Sequence, residues 1–408
     1  MSRIKYWVLI NVVCAASTHL FCQVSTDKII FFKDQNTKVE SWNKFNENLF
    51  SIRYETPWVD RFEFRTETDR MMTSRQEFLF RTSFNSFRQK KADGAVLLHL
   101  TERKKQEFLA QQNDLVNQRY FLTLEAIKKQ LELNHKINRE NHFLKLEKTY
   151  ETFIRSGESF DLADYLKNHE DLQSIRMSIL LYKQELSSLL FNLGFPDQDS
   201  IDTNDLISIQ NMTDIVDNVN IDNKRHPDFL ELDAKNSFLD AKLHSDKVKD
   251  GKILDFVQLR YSVRDDLLLE NRFSVGVGLN FPWRGSSRTK YNDIVIDKLE
   301  TNYDKENKRV LMTEKLIALQ NEFDQKKKMY EVYTTTSENA AFENIKKTIL
   351  GSGRVALYDI LSLEKYELNK AEKETEIYLE ILKIYLDILS LTATPGYQPE
   401  INYFKNPD

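Results

Sequence analysis

Glycine and proline are scarce in this chain, with ten and seven among 408 residues, while 30% of positions are charged. That composition excludes a loop-rich domain and a sheet of many short strands, and it points to long, unbroken helices. Cysteine is scarcer still. Cys14 and Cys22 are the only two, and both lie in a segment that reads as a leader. The remainder of the chain therefore has neither disulfides nor thiolate-held metals. An excess of one charge is also lacking. The 58 basic residues are outweighed by 63 acidic ones, and the net charge is −5. No basic stripe of the kind a nucleic-acid binder needs is present, which excludes nucleic acid as a partner.

The amino terminus has the layout of an export signal. Arg3 and Lys5 supply a basic start, Tyr6 to Ala16 a mostly apolar stretch, and cleavage fits near Cys22 and Gln23. A retained anchor is the alternative, although the run is short for a membrane span. Val13 precedes Cys14 and Phe21 precedes Cys22, so neither cysteine follows the small residue of a lipid-attachment site. Removing residues 1–22 takes Arg3 and Lys5 with it, and the net charge goes from −5 to −7.

The positions of the few glycines and prolines give the organisation. Gly94 to Gly157 and Gly285 to Gly351 each enclose about sixty residues free of both types, or about 90 Å of helix at 1.5 Å per residue. Two shorter clean stretches follow them, Glu158 to Leu193 and Arg354 to Thr394. The pattern occurs twice, and a shift of 195 residues carries "FEFR" (Phe62 to Arg65) onto "VQLR" (Val257 to Arg260). The same shift carries Phe78, Phe80, Thr82, Phe84 and Asn85 onto Phe273, Val275, Val277, Leu279 and Asn280. With 196, Ser156 and Gly157 fall on Ser352 and Gly353, and "LADYL" then comes close to "LYDIL". Each half reads strand, strand, long helix, turn, shorter helix, which is a duplication.

Four strands are predicted, at Arg61 to Thr68, Glu77 to Phe84, Leu254 to Val263 and Arg272 to Phe281, as two antiparallel hairpins across "DRMMTSRQ" and "RDDLLLEN". In "RFSVGVGLNFPWRG" apolar residues alternate strictly with small and polar ones, so each strand has one apolar face. Alternating strands of this length suit a membrane barrel, and a small soluble sheet packed on helices is the other possibility. Gly276 and Gly278 are assigned to empty space on the lumen side. The charges at Glu63, Arg65, Arg260 and Arg264 must then face that lumen or stand at a strand end.

The helices bear on that choice. Helices of about 90 Å cannot fold back into one compact core, so their apolar residues need partners along the whole length. In "LIALQNEFDQKKKMYEVY" Leu316, Leu319, Phe323 and Tyr330 form a narrow stripe suited to a coiled-coil seam. Four strands are too few to close a membrane barrel, whose minimum is about eight, and an open edge in lipid leaves backbone groups unsatisfied. Oligomerisation is then required.

From about Phe62 to Thr394, and most clearly in "VGVGLNFPWRG" and "GSGRVALYDILSLEKYELNKAE" (Gly351 to Glu372), the sequence resembles the TolC-like outer-membrane channels of efflux pumps and type I secretion systems. The resemblance implies an α protein with a β-barrel part: long antiparallel helical hairpins forming a tunnel in the periplasm, and four transmembrane strands per protomer completing a twelve-stranded barrel in a homotrimer. It implies no cofactor and no catalysis. Its partners are a periplasmic adaptor, an inner-membrane transporter and outer-membrane lipid. Phe78, Phe80, Phe84, Phe273, Val275, Val277 and Leu279 are then the lipid-facing strand residues. Ser156, Gly157, Ser352 and Gly353 mark the helix tips that meet the adaptor. Asp359 falls where the family carries the first constricting aspartate, with Ser362 in the second acidic position, and three copies of Asp359 would form a cation-favouring carboxylate ring. The same residue alone is an ordinary helix aspartate. Glu158, Asp161 and Asp164 read as a solvated helix start.

The implied organisation is a signal peptide (1–22), an N-terminal segment (23–60), a first repeat (61–196), an equatorial segment (197–222), a second repeat with its preceding short helix (223–395) and a C-terminal tail (396–408). Shorter helices near Phe160 to Phe191 and Asn223 to Lys249 together match the long helix beside them. One departure stands out. An upper helix should precede the first strand and stack on the helix near Val355 to Leu391, yet "VESWNKFNENLF" offers only about three turns, with Trp42, Phe45 and Leu49 on one face.

Catalytic and metal-binding patterns are missing. His135 and His142 are seven apart on one helix and read as surface positions, and no pair of histidines has metal-binding spacing. Gly276 and Gly278 lack the third glycine of a dinucleotide fingerprint, and Asn211 to Thr213 is a glycosylation triplet without meaning in a bacterial protein. Beside the channel stand a periplasmic coiled-coil scaffold or adaptor and a secreted enzyme with an unrecognised site. Lipid-side character on all four strands separates the first from the second.

Overall fold

The computed structural model describes residues 23–31, 44–45, 47–49, 51, 57–68, 76–156, 162–222, 224–263, 272–280, 287–335, 347 and 357–407. The leader, the hairpin loops, the stretches around Gly157 and Gly353, and Trp42 lie outside these residues. The elements in chain order are β1 (Gln23–Val24), α1 (Thr26–Ile30), β2 (Val59–Thr68), β3 (Gln76–Phe84), α2 (Phe87–Ser156), α3 (Leu162–Asn192), β4 (Ser200–Ile201), α4 (Ile209–Asn218), α5 (Pro227–Asp250), β5 (Leu254–Ser262), β6 (Phe273–Leu279), α6 (Ser287–Thr335), α7 (Leu357–Leu391) and α8 (Thr394–Tyr397). The expected order of strand, strand, long helix, shorter helix appears in both halves. Among the described residues no helix is long and apolar enough to cross a membrane.

The chain divides into two compact units. One holds Met1–Asp34, Asn113–Ile221 and Met312–Asp408, and the other holds Gln35–Gln112 and Asp222–Leu311. Long helix α2 begins at Phe87 and passes through Gly94, so that glycine does not start the helix as its position suggested. In place of a helix-breaking role, Gly94 sits in an exposed helical position where an added methyl would meet nothing within 4 Å.

The first unit is helical and has a continuous apolar core. Helix α7 is its spine: Ile381, Leu382, Tyr385, Ile388 and Leu389 are fully buried. Against them pack Tyr120, Leu124 and Ile127 of α2, Leu186 and Leu190 of α3, and Leu316 and Phe323 of α6. Of the predicted stripe, Leu316 and Phe323 are buried in this core, and Leu319 and Tyr330 pack against it half-buried. The segment 197–222 holds β4 and α4, and Ser208 caps α4 by accepting a hydrogen bond from the Asn211 backbone N–H. Ile207, Met212 and Val216 seat it on the core.

Both ends of the described chain fasten to this segment. β1 pairs in parallel with β4, Gln23 opposite Ser200 and Val24 opposite Ile201. Ser25 caps α1, and Ile29 is fully buried. At the other end Ile207 donates to the Phe404 carbonyl at 2.8 Å and Leu206 bridges to Lys405. Asn402 then donates to Thr26 Oγ1 and Asp27 Oδ1, and Lys405 pairs with Asp27 at 2.5 Å. Residues 401–407 are thus part of the core's cover. Of the three-turn helix expected near Phe45 and Leu49, those two residues are helical and Trp42 lies outside the described residues.

The second unit joins a sheet to helix ends. Its sheet is antiparallel in the order β2-β3-β5-β6, so each predicted hairpin forms and the two hairpins pair through β3 and β5. The strands hold 10, 9, 9 and 7 residues, and β6 ends at Leu279 where Asn280 closes on Ile253. Below the sheet a polar cluster ties three helices. Ser245 of α5 and Gln89 of α2 donate to Asp93 at 2.6 Å each, Lys249 lies 3.4 Å from Asp93, and Lys290 of α6 pairs with Asp246 at 2.9 Å. Burial alone would raise the Asp93 carboxyl, but these donors and the Lys249 charge outweigh it and hold it below its ordinary value.

Candidate functional site

Residues paired across an antiparallel sheet share a face, so the register fixes both surfaces. Three rows cross all four strands: Phe62, Thr82, Val257 and Val277; then Phe64, Phe80, Leu259 and Val275; then Thr66, Phe78, Tyr261 and Phe273. Nearly every member is apolar. The rings meet at a tilt along the rows, with centroids 4.8 Å apart for Phe64 and Phe80 and 4.8 Å for Tyr261 and Phe273. Among the described residues no helix covers this face: Val275 is 72% exposed and Phe62 65%, while Phe80, Phe84, Val277 and Leu279 are exposed as well. The seven strand residues singled out in the sequence all lie on this side, Phe84 and Leu279 at its helix end and Phe78 half-buried between neighbours.

The other face is polar. Its rows are Arg61, Ser83, Phe256 and Gly278; Glu63, Arg81, Gln258 and Gly276; and Arg65, Leu79, Arg260 and Ser274. The charges are paired in place: Arg61 with Glu63 at 2.7 Å, Arg65 with Glu63 at 3.4 Å, and Arg260 with Glu77. Glu63, Arg65 and Arg260 therefore sit on the side the sequence required, and Arg264 lies outside the described residues. Arg81 and Asp255 add a further pair to that face.

Here the glycines need a correction. Gly276 and Gly278 do not border open space. A methyl group at Gly278 would stand 2.2 Å from Cε1 of Phe256, and one at Gly276 would stand 2.8 Å from Nε2 of Gln258. The Phe256 ring admits only hydrogen at Gly278, while the Gln258 chain opposite Gly276 can shift aside. On the opposite side of the Phe256 ring the Arg81 guanidinium stacks 3.3 Å from the centroid, and it faces Asp255 at 3.8 Å. This stack was not foreseen from the sequence. Its one signal was the spacing of two glycines in a strand opposite a bulky residue in the neighbouring strand.

The helix tips are described in part. Ser156 ends α2, exposed, with its hydroxyl donating to the Phe153 carbonyl at 3.2 Å. Gly157, Ser352, Gly353 and the side chain of Asp359 lie outside the described residues, although Asp359 falls in the first turn of α7. Behind the tips α2 and α7 meet along a seam of charge. Lys136 and Arg139 pair with Glu372, Lys145 with Glu364, and Arg139 also donates to Asn369. His142 is a second correction, since it is 3% exposed and its Nδ1 lies 3.2 Å from Glu364. His135, half-buried, meets Thr375 Oγ1 at 2.9 Å, and burial holds its imidazole below its ordinary value, with Arg139 and Lys136 adding to that effect. Burial would raise the Glu364 carboxyl, but the hydrogen bonds and charges of Lys145 and His142 leave it lowered. The sequence spaced these cations along one face of α2 but could not show which carboxylates faced them. Among the described residues no cluster of three histidine, cysteine or acidic side chains could hold a metal.

No protein-family model and no curated protein sequence matches the chain. Solved structures do match over almost its whole length. The outer-membrane channel OprN aligns with a TM-score of 0.60 at 13% identity, covering 90% of this chain and 89% of its own. CusC, crystallised in a study of folding and transmembrane channel formation, aligns at 0.53 and 11% identity over 90% and 91%. The open state of the MtrE outer-membrane channel of Neisseria gonorrhoeae aligns at 0.52 and 10% identity over 90% and 88%. At such identities the likeness is one of fold, and it covers sheet and helices alike. The chain has the fold of the TolC-like outer-membrane channels.

Proposed function

We propose that the chain is the outer-membrane channel of a tripartite efflux pump or type I secretion system, a passive exit duct and not an enzyme. The observation that carries this reading is the sheet. Its rows of exposed phenylalanine, valine and leucine back onto a face of paired charges, as a barrel wall between lipid and water requires. Four strands cannot close alone, so three copies would supply twelve, above the minimum of about eight. The helical part would stand in the periplasm. A periplasmic scaffold would need the apolar face buried under helices, and that face is exposed. The fold shared with OprN, CusC and MtrE supports the same reading.

On this reading Ser156, Gly157, Ser352 and Gly353 stand at the end that meets an adaptor protein and, through it, an inner-membrane transporter. Three copies of Asp359 would ring the entrance and favour cations. Electron microscopy of the protein extracted in detergent tests the proposal. The expected image is a threefold particle with a detergent belt around its sheet end. A monomer that stays in the aqueous fraction without detergent would sink it.

A further inference from the structure

Beyond the strands the chain carries a band of cations, and this inference rests on the membrane reading of the sheet. By register, Val59, Phe84, Leu254 and Leu279 stand at one end of the sheet, and the helices leave from that end. Trp58 and Phe87 follow, both largely exposed, with their rings edge-on at 4.4 Å; Ile253 is exposed at the same level. Next come Arg88, Lys90, Lys91 and Arg288, all exposed, and half-buried Lys252. Lys90 lines the same small cleft as Trp58 and Phe87.

The band is unusual for this chain. The whole chain is net negative at −5, yet residues 85–92 and 287–292 hold five cations and no acidic residue. Neighbouring carboxylates are engaged elsewhere, Asp93 by Lys249, Asp246 by Lys290, Asp255 by Arg81 and Asp250 by the Tyr291 hydroxyl. Among the described residues none forms an ion pair with Arg88, Lys90, Lys91, Lys252 or Arg288. Along the sheet axis the order is therefore apolar rows, an aromatic pair, then uncompensated positive charge. A bilayer leaflet presents hydrocarbon, interface and phosphate in the same order. We propose that this band binds the phosphates of anionic phospholipids in the leaflet facing the helices, and that it fixes how deep the sheet sits.

The test uses the full chain purified in detergent and titrated with phosphatidylglycerol or phosphatidylcholine, with bound lipid counted by native mass spectrometry. The wild type should take up phosphatidylglycerol in preference, and salt near about 0.5 M should erode the preference. Each cation removed should lower that uptake about fivefold. The variant R88Q/K90Q/K91Q/R288Q should lose the preference, while K105Q/K183Q/K242Q/K328Q, which removes as many exposed cations elsewhere, should keep it. Circular dichroism of both variants checks that each is folded. Equal uptake of the two lipids by the wild type, or a preference that survives the first variant, overturns the proposal. So does an acidic protein that co-purifies with the wild type and is lost from the first variant without any change in lipid uptake. Failure of the membrane reading would look different: the wild type would remain in solution without detergent.

Discussion

Gly278→Ala is a one-carbon change with a calculable consequence. The new methyl would lie 2.2 Å from Cε1 of Phe256 and 2.5 Å from Cδ1 and Cζ, closer than carbon atoms approach. A ring cannot yield as a flexible chain end does, and it is held from behind by the Arg81 guanidinium at 3.3 Å. Swinging it aside should cost about 1–3 kcal/mol of overpacking strain and about 0.5–1 kcal/mol of lost cation–π contact. Gly276→Ala meets the amide end of Gln258, which can move, so it should cost less than about 1 kcal/mol. In a Phe256→Ala background the clash at 278 vanishes. There Gly278→Ala should be neutral or slightly stabilising, because glycine weakens a strand interior. Denaturant unfolding of the four proteins in detergent, followed by circular dichroism, gives the coupling energy, which should be about 2 kcal/mol or more. Additive effects, or a Gly278→Ala protein within about 0.5 kcal/mol of wild type, would refute the account of why these glycines are there.

Val277→Asp places a carboxylate on the apolar face, at the β6 end of its row, and should cost a few kcal/mol near a bilayer midplane, though less than Arg or Lys would; normal assembly in membranes after the change would remove β6 from the lipid face. Glu364→Gln discards the pairs with Lys145 and His142 and should cost about 1 kcal/mol at neutral pH. Since the folded carboxyl is lowered, its contribution is present above the unfolded value of 4.5 and is lost as pH falls through the folded one. The variant should therefore show a flatter loss of stability below about pH 4 than the wild type, and parallel acid curves would count against the seam. Gly94→Ala, in an exposed helical position with open space around it, should raise stability by about 0.5–1 kcal/mol in a thermal melt, and a loss would mean the position is not helical.

Sequence periodicity carried the strands because a half-buried or half-lipid strand must alternate, and a shift of 195 between Phe78 and Phe273 tied the two hairpins together. The four strands, both long helices and the core stripe from Leu316 to Tyr330 were legible for that reason. What side chains do between strands was not. The alternation "SVGVG" says that one face is small, but whether that face borders space or a ring depends on Phe256, which is distant in sequence and paired only through the register. His142 failed similarly. On a helix lined with charge a histidine reads as exposed, and its burial follows from α7 lying across it with Glu364 as partner. Long-range pairing decides both cases, and one sequence does not encode it locally.

The cover of the spine α7 is settled by long-range packing in the same way. That spine is buried along Ile381 to Leu389. Part of that cover is short pegs. Ile29 and Phe404 are fully buried in the same core as Tyr385, and Tyr403 nearly so. Arg119 fixes the first peg by donating to the Ile29 carbonyl at 2.6 Å, and Tyr120 fixes the carboxy-terminal strap by donating to the Ile401 carbonyl at 3.0 Å. Each fully buried side chain of this size contributes about 1.5–3 kcal/mol, so two short segments add several kcal/mol to the core. Ile29→Ala should then cost about 2–5 kcal/mol, as for any large side chain deleted from a packed core, and should expose residues 23–31 to protease. A cost below about 0.5 kcal/mol, with that segment still protected, would mean that it rests on the core without holding it.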